Sequence, residues 1–383
     1  MAKRIHKRGI RACLIALIVA VPALGASACG SSTAARSTTS FAGLADATRV
    51  PAPVIGPGIL ASFSGTAAGP VGSDSGHVVW ESGPLETDSS QPILRDRTLS
   101  TGTTRTIASK VDPLHGVAST ARWVYFARTT VSGTQLLRVS HNGTQSNVVT
   151  DSLASPVASR GDVVAWAEES GSSQRVVALD AAHDVQWTVA RMPSCSVSGC
   201  YHIGAVTVAE NGIVFTRAAV GSQPSLVVRR AFGETGTQSV AIADDPQPDL
   251  VPSSSGALYY ALSRGWYRWD FEDSRPRAVA FADDPVKSLI RHEDGRWYWL
   301  SRQGCDYRVE SGAGAGGRVT FVMPGRLERL APGAAPACTH LGGFGWTGRQ
   351  AIMSWVIASA ASVGAHEDEG LRGAVVAGPR GTE

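Results

Sequence analysis

Residues 211–215, Asn-Gly-Ile-Val-Phe, show the unit that decides the fold: a tight turn, then a short apolar strand that contains an aromatic side chain. Related units recur along the chain at 76–80, 123–126, 162–166, 256–260, 294–299 and 343–346. Their aromatic residues at 80, 126, 166, 215, 260, 299 and 346 are spaced 39 to 49 residues apart. A repeat of this length is typical of one blade of a β-propeller.

Further short apolar segments flank each aromatic strand, which makes the repeat a four-stranded antiparallel meander. The last repeat is incomplete: an apolar segment follows at 352–357, and the chain then turns polar. An orphan strand at 59–63 precedes the first repeat. Pairing the orphan with 352–357 completes the last blade. The sequence therefore predicts an all-β fold: a seven-bladed β-propeller of four-stranded antiparallel blades, with the ring closed by N- and C-terminal strands.

The repeated aromatic side chains are predicted to be core residues. A single blade cannot bury its faces alone, so neighbouring blades must pack on each other. We therefore expect these aromatics to join one blade to the next rather than to form a stacking site for a ligand.

The turn before the aromatic strand resembles the TolB-type propeller repeat. In that family a Pro-Asp-Gly turn leads into an apolar strand that ends in an aromatic residue. Glu293-Asp294-Gly295 and Glu210-Asn211-Gly212 carry the resemblance, although both lack the proline. The resemblance implies a propeller of this general kind.

The N-terminus has the pattern of an export signal. Five basic residues lie within residues 1–11, and an uncharged apolar stretch follows at 12–24, too short to span a bilayer as a helix. The run Ala26-Ser27-Ala28-Cys29 resembles the lipobox of bacterial lipoproteins, with Ala26 where that family prefers leucine. The resemblance implies a signal peptide at 1–28, a diacylated Cys29 and a cell-membrane anchor on the extracytoplasmic side. Ordinary signal-peptidase cleavage after Ala28 is the alternative.

Cysteine counting favours acylation. Five of the six cysteines follow the apolar stretch, and an odd thiol is unusual in an oxidising compartment. Acylating Cys29 leaves four, which permit three pairings. We expect disulfides Cys195–Cys200 and Cys305–Cys338 rather than a metal site, because no further ligands cluster with them.

Charge excludes nucleic acid as a partner. Residues 1–28 hold five of the 35 basic residues and none of the 32 acidic ones, so the chain from Cys29 onward has a net charge of about −2. No basic patch for a membrane surface survives this correction, and the lipid would supply the anchor.

Paired aspartates after the predicted outer strands form a candidate cation site. Asp244, Asp245, Asp283 and Asp284 each precede a proline closely, and Asp112 and Asp151 hold comparable positions. All these connections should emerge on one face of a propeller, where carboxylates can bind Ca²⁺. The alternative is that aspartate before proline only initiates a turn by bonding its own backbone. No other cofactor is expected.

Catalytic patterns are missing from the sequence. Neither Gly-x-Ser-x-Gly nor His-Glu-x-x-His occurs, and the eight histidines beyond the signal segment are scattered singly. We therefore expect a binding scaffold for an envelope protein, peptide or polysaccharide. A propeller enzyme of the lactonase, lyase or glycosidase type is the alternative. The domain prediction is a signal peptide at 1–28, a flexible tether at 29–50, the propeller at 51–360 and a disordered polar tail at 361–383.

Overall fold

The computed structural model describes residues 59–380 except 65, 73–75, 84–91, 196–198, 222, 243–248, 262–264, 280–284, 294–295, 304–305, 313–317, 324–326, 329–336, 339, 348–349 and 359–370. The described part of the chain begins with β1 (Ile59–Ser64) and continues through successive four-stranded antiparallel meanders. Within the described residues, no helix is long and apolar enough to cross a bilayer.

The first three meanders follow each other directly along the chain. Sheet one contains β2 (Thr66–Gly72), β3 (His77–Gly83), β4 (Ile93–Thr98) and β5 (Thr104–Ser109). Sheet two contains β6 (Val117–Ser119), β7 (Trp123–Thr130), β8 (Gly133–Ser140) and β9 (Ser146–Thr150). Sheet three contains β10 (Ala158–Arg160), β11 (Val163–Ser170), β12 (Ser173–Asp180) and β13 (Val185–Pro193).

The next three meanders repeat this order. Sheet four contains β14 (Tyr201–Ala209), β15 (Gly212–Ala219), β16 (Ser225–Ala231) and β17 (Gln238–Ile242). Sheet five contains β18 (Asp249–Pro252), β19 (Gly256–Ala261), β20 (Gly265–Asp270) and β21 (Arg277–Val279). Sheet six contains β22 (Pro285–Glu293), β23 (Arg296–Gln303), β24 (Asp306–Gly312) and β25 (Arg318–Met323). A short ribbon of β26 (Leu327–Glu328) and β27 (Ala337–Cys338) follows.

The last sheet combines strands from both ends of the chain, and we call it the shared sheet. Its order is β28 (His340–Thr347), β29 (Gln350–Ala358), β30 (Leu371–Arg380) and then β1. The prediction that the orphan strand joins the last repeat is confirmed. The predicted direct pairing with 352–357 is wrong, because β30 lies between the two: β1 pairs with β30, and β30 pairs with β29.

Two further corrections follow from the shared sheet. The segment 371–380 belongs to a strand, so the predicted disordered tail is wrong there. The sequence does not indicate this strand, because its apolar centre Ala-Val-Val-Ala is short, has no aromatic residue and is flanked by glycine and arginine. Pairing with β1 on one side and β29 on the other makes the segment a strand. The weak repeat at 343–346 lies in β28, the first strand of its sheet, whereas the aromatic strand of other sheets is the second.

Alternate side chains of a central strand pack against opposite neighbours, as the pleat of a strand requires. On β7, Val124 and Phe126 join the core between sheets one and two. Tyr125 and Ala127 join the core between sheets two and three. Similar cores lie between sheets three and four, four and five, and five and six. The prediction that the repeated aromatics pack one sheet on the next is confirmed for Phe126, Trp166, Phe215 and Trp299, and Tyr260 packs, partly buried, against the core between sheets five and six.

Candidate functional site

In sheets one to five, the first and the last hairpin turn of each meander lie on one surface, which we call the turn face. In a four-stranded meander, the turn between the first two strands and the turn between the last two lie at the same end. Hydrogen bonds between sheets join these ends: Asp162 Oδ1 accepts from Ala121 N at 3.1 Å, and Asn211 Nδ2 donates to Ser254 O at 2.8 Å. The opposite surface, which carries the connections from one sheet to the next, is the connection face.

A cleft of about 520 Å³ opens on the turn face between sheets one and two. Its wall is polar and contains Arg105, Arg122, Asn142 and Gln145, with two histidines deeper in the cleft. No acidic side chain lines it among the described residues. The Arg122 guanidinium lies 4.9 Å from the ring centre of Trp123, which holds this cation above a buried aromatic side chain. The cleft therefore presents cations and hydrogen-bonding groups to solvent.

The two histidines belong to a buried cluster of His77, Asp96 and His141. His77 begins β3 and Asp96 lies on β4, where the strand pairing places Asp96 opposite Val79. Because His77 and Val79 alternate with Val78, His77 and Asp96 share the sheet face that packs on sheet two. His141 reaches them from the turn after β8 in sheet two. The cluster therefore exists only because two neighbouring sheets meet.

Asp96 bonds to both imidazoles. Its Oδ1 lies 2.7 Å from His77 Nδ1, and its Oδ2 contacts His141 Nδ1. The two rings stack with centroids 3.9 Å apart, and His141 Nε2 lies 2.9 Å from the backbone oxygen of Thr120. Asp96 is only 2% exposed, whereas the His77 side chain is 18% exposed toward the cleft. These three residues form the one His, Cys, Asp or Glu cluster with metal-ligand spacing in the described part of the chain.

The turn that carries His141 is rigidly held. Ser140 Oγ accepts from Gln145 N at 3.0 Å, and Asn142 Oδ1 accepts from Thr144 N at 3.0 Å. Gly143 has φ of 75°, in the region that favours glycine, and a Cβ there would lie 3.5 Å from Ile107 Cα in sheet one. The turn is thus packed on its neighbour, so His141 is positioned before any ligand arrives.

A second cleft, of about 510 Å³, lies on the turn face between sheets three and four. Trp187 and Phe232 line it and pack edge to face with ring centroids 6.4 Å apart. Phe232 is 39% exposed toward solvent. Arg230 fixes the wall by donating to Val189 O and, at 3.0 Å, to Glu234 O. Asp180, Glu234 and Arg230 line the same cleft, which therefore combines an aromatic surface with charges of both signs.

The predicted aspartate site belongs to the connection face and is described only at two positions. Asp112 Oδ1 accepts from Leu114 N at 3.0 Å and caps the short 3₁₀ turn Pro113–His115, which matches the turn alternative. Asp151 Oδ1 accepts from Gln135 Nε2 at 2.6 Å. Asp244, Asp245, Asp283 and Asp284 lie outside the described residues, so Ca²⁺ binding there stays a prediction.

A buried carboxyl group lies near Asp112. Glu81 is 4% exposed, and its burial, with a smaller contribution from the charge of Asp112, raises its pKa to about 7. The pKa of Asp112 is lowered: burial would raise it, but hydrogen bonds from Thr129 and Leu114 N and the nearby His115 outweigh that effect. Burial therefore moves the change of charge of Glu81 to near neutral pH.

Cys195 and Cys200 form the predicted disulfide, with Cα atoms 5.5 Å apart. This disulfide lies in the segment that connects sheets three and four, between β13 and β14. The side chains of Cys305 and Cys338 lie outside the described residues, as does Cys29, so the second disulfide and the acylation stay predictions.

The sequence patterns missed the His77–Asp96–His141 cluster because its members look like isolated residues along the chain. Asp96 and His141 are 45 residues apart, which is one repeat length. The spacing is nevertheless no signal, because Asp96 lies within β4 whereas His141 lies in the turn after β8, so the two do not occupy corresponding places in their sheets.

No protein-family model matches the chain, and no curated protein matches it either. Solved structures share its fold. The β-propeller domain of the Trilobed protease from Pyrococcus furiosus is 9% identical and aligns over 76% of this chain and 90% of that one, with a TM-score of 0.50. Acylaminoacyl peptidase from Pyrococcus horikoshii is 11% identical over 77% of this chain, with a TM-score of 0.51. This chain spans only 50% of that peptidase.

TolB from Acinetobacter baumannii is also similar, at 11% identity over 80% of this chain, but its TM-score of 0.39 is too low to support a structural inference. At these identities the likeness shows the fold alone. The chain has an all-β, propeller-like fold of four-stranded antiparallel sheets.

Proposed function

We propose that this protein is a lipid-anchored extracytoplasmic binding scaffold, and that its turn face holds an acidic polymer of the cell envelope. The observation that carries the proposal is the pair of clefts, of about 520 and 510 Å³, on the same face. Repeated sheets supply a rigid support, and the turns supply the contacts.

The first cleft favours an anionic ligand. Arg105 and Arg122 line it together with two histidines and several hydroxyl and amide groups. Planar guanidinium groups bind carboxylate or phosphate through two parallel hydrogen bonds. The second cleft adds the aromatic side chains of Trp187 and Phe232, on whose faces a sugar ring can pack. An acidic polysaccharide uses both features, and an acidic peptide uses mainly the first.

The architecture that we propose for the whole protein is a ring of seven blades, in which the shared sheet is the last blade. Support comes from the seven four-stranded sheets among the described residues and from the pairing of β1 with β30. Because β1 precedes all the other strands of the described chain and pairs into the sheet that ends it, this pairing would hold the two ends of a ring together.

The test is direct binding. We expect the full chain to bind a purified acidic envelope polysaccharide in calorimetry, and to lose at least tenfold in affinity when Arg105 and Arg122 are both replaced by alanine. Arg277→Ala is the matched control, since this exposed arginine pairs with Asp273 in sheet five, away from both clefts.

Two further measurements test the proposal: the salt dependence of binding and the binding of a second acidic ligand. Raising the ionic strength should weaken binding, because exposed charges are screened beyond about 3 Å at 1 M salt. Poly-glutamate that binds as well as the polysaccharide would assign the site to acidic peptides. Equal binding by the parent and the double arginine variant would refute the proposal.

A further inference from the structure

The His77–Asp96–His141 cluster contains a conflict between two acceptors. A backbone carbonyl oxygen can only accept, so His141 Nε2, 2.9 Å from Thr120 O, must donate its proton there. In a neutral imidazole, the other nitrogen then carries a lone pair. That lone pair on Nδ1 faces Asp96 Oδ2 in direct contact. Two hydrogen-bond acceptors in contact repel each other, and water cannot separate them here because Asp96 is only 2% exposed. A positive charge between the two atoms is therefore required.

We propose that this charge is supplied by a divalent transition-metal ion of the zinc class, bound by His77, Asp96 and His141. Two imidazole nitrogens and a carboxylate oxygen are ligands that zinc prefers, whereas Ca²⁺ and Mg²⁺ prefer sites made of oxygen atoms. The ligand atoms already lie within 4.8 Å of one another.

The surroundings are those of a ligating imidazole. Metal-bound histidines usually donate their second N–H to a backbone carbonyl or a carboxylate, which orients the ring. Thr120 O plays this part for His141, and Thr120 itself is fixed because Trp123 N donates to its Oγ1 at 3.1 Å. The rigid turn at Gly143 holds the same histidine from the other side.

The coordination would have an open position. His77 and His141 line the first cleft, while Asp96 lies behind them. Three protein ligands therefore leave a fourth place for water or a ligand atom from the cleft. Ligand atoms around tetrahedral zinc are about 3.3 Å apart. Since His77 Nδ1 and Asp96 Oδ1 lie 2.7 Å apart, binding would separate them by a few tenths of an ångström.

The proposal uses the same cleft as the proposed function but is independent of it, since the metal is titrated without any polymer.

The experiment titrates Zn²⁺ into the full chain by calorimetry after removal of metals with a chelator. We expect one zinc site and no saturable binding of Ca²⁺ or Mg²⁺ at this site. Asp96→Asn and His141→Gln should each lower the zinc affinity at least tenfold. His183→Gln is the matched control, because exposed His183 also pairs with an aspartate, Asp180, at 2.8 Å.

A measurement on the unaltered chain protects the test against variants that fail to fold. X-ray absorption of the zinc form should show two imidazole ligands with oxygen completing the shell. Sulfur ligands would place the metal on cysteines and overturn the proposal. So would equal zinc affinity in the parent and a folded His141→Gln variant, because the zinc would then be bound elsewhere.

Discussion

At the scale of single residues, Glu81 should control how stability depends on pH. Unfolded, its carboxyl ionises near 4.5, whereas burial keeps it protonated in the folded protein up to a pKa of about 7. Between these values the folded state binds more protons than the unfolded state, so the free energy of unfolding falls as pH rises. The loss is about 3 kcal/mol across this window.

Replacing Glu81 with glutamine removes the ionisation and keeps the shape. We expect Glu81→Gln to be more stable than the parent at pH 8 and to show a flatter profile between pH 5 and 7 in urea unfolding. Asp112 acts below this window, because its pKa is lowered and its contribution is lost only at acid pH. Glu234→Gln, on a surface turn, is the control. A parent profile that is flat from pH 5 to 7 would refute the argument.

At the scale of elements, β1 should be required for the stability of the shared sheet. It is the outermost strand there and pairs with β30 from Ile59 to Ser64. Deleting the chain up to Ser64 leaves one edge of β30 without its partner and exposes apolar surface. We expect a loss of several kcal/mol in the free energy of unfolding, from about 25 cal/mol for each Å² of apolar surface exposed.

The matched control deletes residues 30–58 and keeps β1. It should unfold at the same urea concentration as the parent, whereas the longer deletion should unfold earlier. If both deletions were as stable as the parent, pairing of β1 with β30 would contribute nothing, and the proposed closure of the ring would fail with it.

At the scale of the whole molecule, the lipid should decide where the protein resides. The sequence predicts acylation at Cys29, and residues 29–383 have a net charge of about −2, so they have no excess of basic residues to attract anionic lipids. We expect mass spectrometry of the N-terminal peptide to find a diacylated Cys29, and Cys29→Ser to release the protein from membranes. An unmodified Cys29 on protein recovered from the medium would contradict the prediction.

The sequence by itself determined the all-β class, the repeat and the residues of the core, because turn residues and alternating apolar side chains are local signals. Phe126, Trp166 and Phe215 could be assigned to the interior from their strands alone. It also located the orphan strand in the last repeat. Strand 371–380 could not be recognised, because its weak apolar pattern becomes a strand only when neighbours satisfy both edges.

Only the tertiary structure decided the candidate site. His77 and Asp96 are 19 residues apart, and His141 is 45 further on, so no local pattern links them. They meet because two sheets pack face to face and a turn of one reaches over the other. The same packing withdraws Asp96 from water and brings both imidazoles against its carboxylate. Local sequence sets which side chains a strand turns inward, whereas the contact between sheets sets the chemistry of the site.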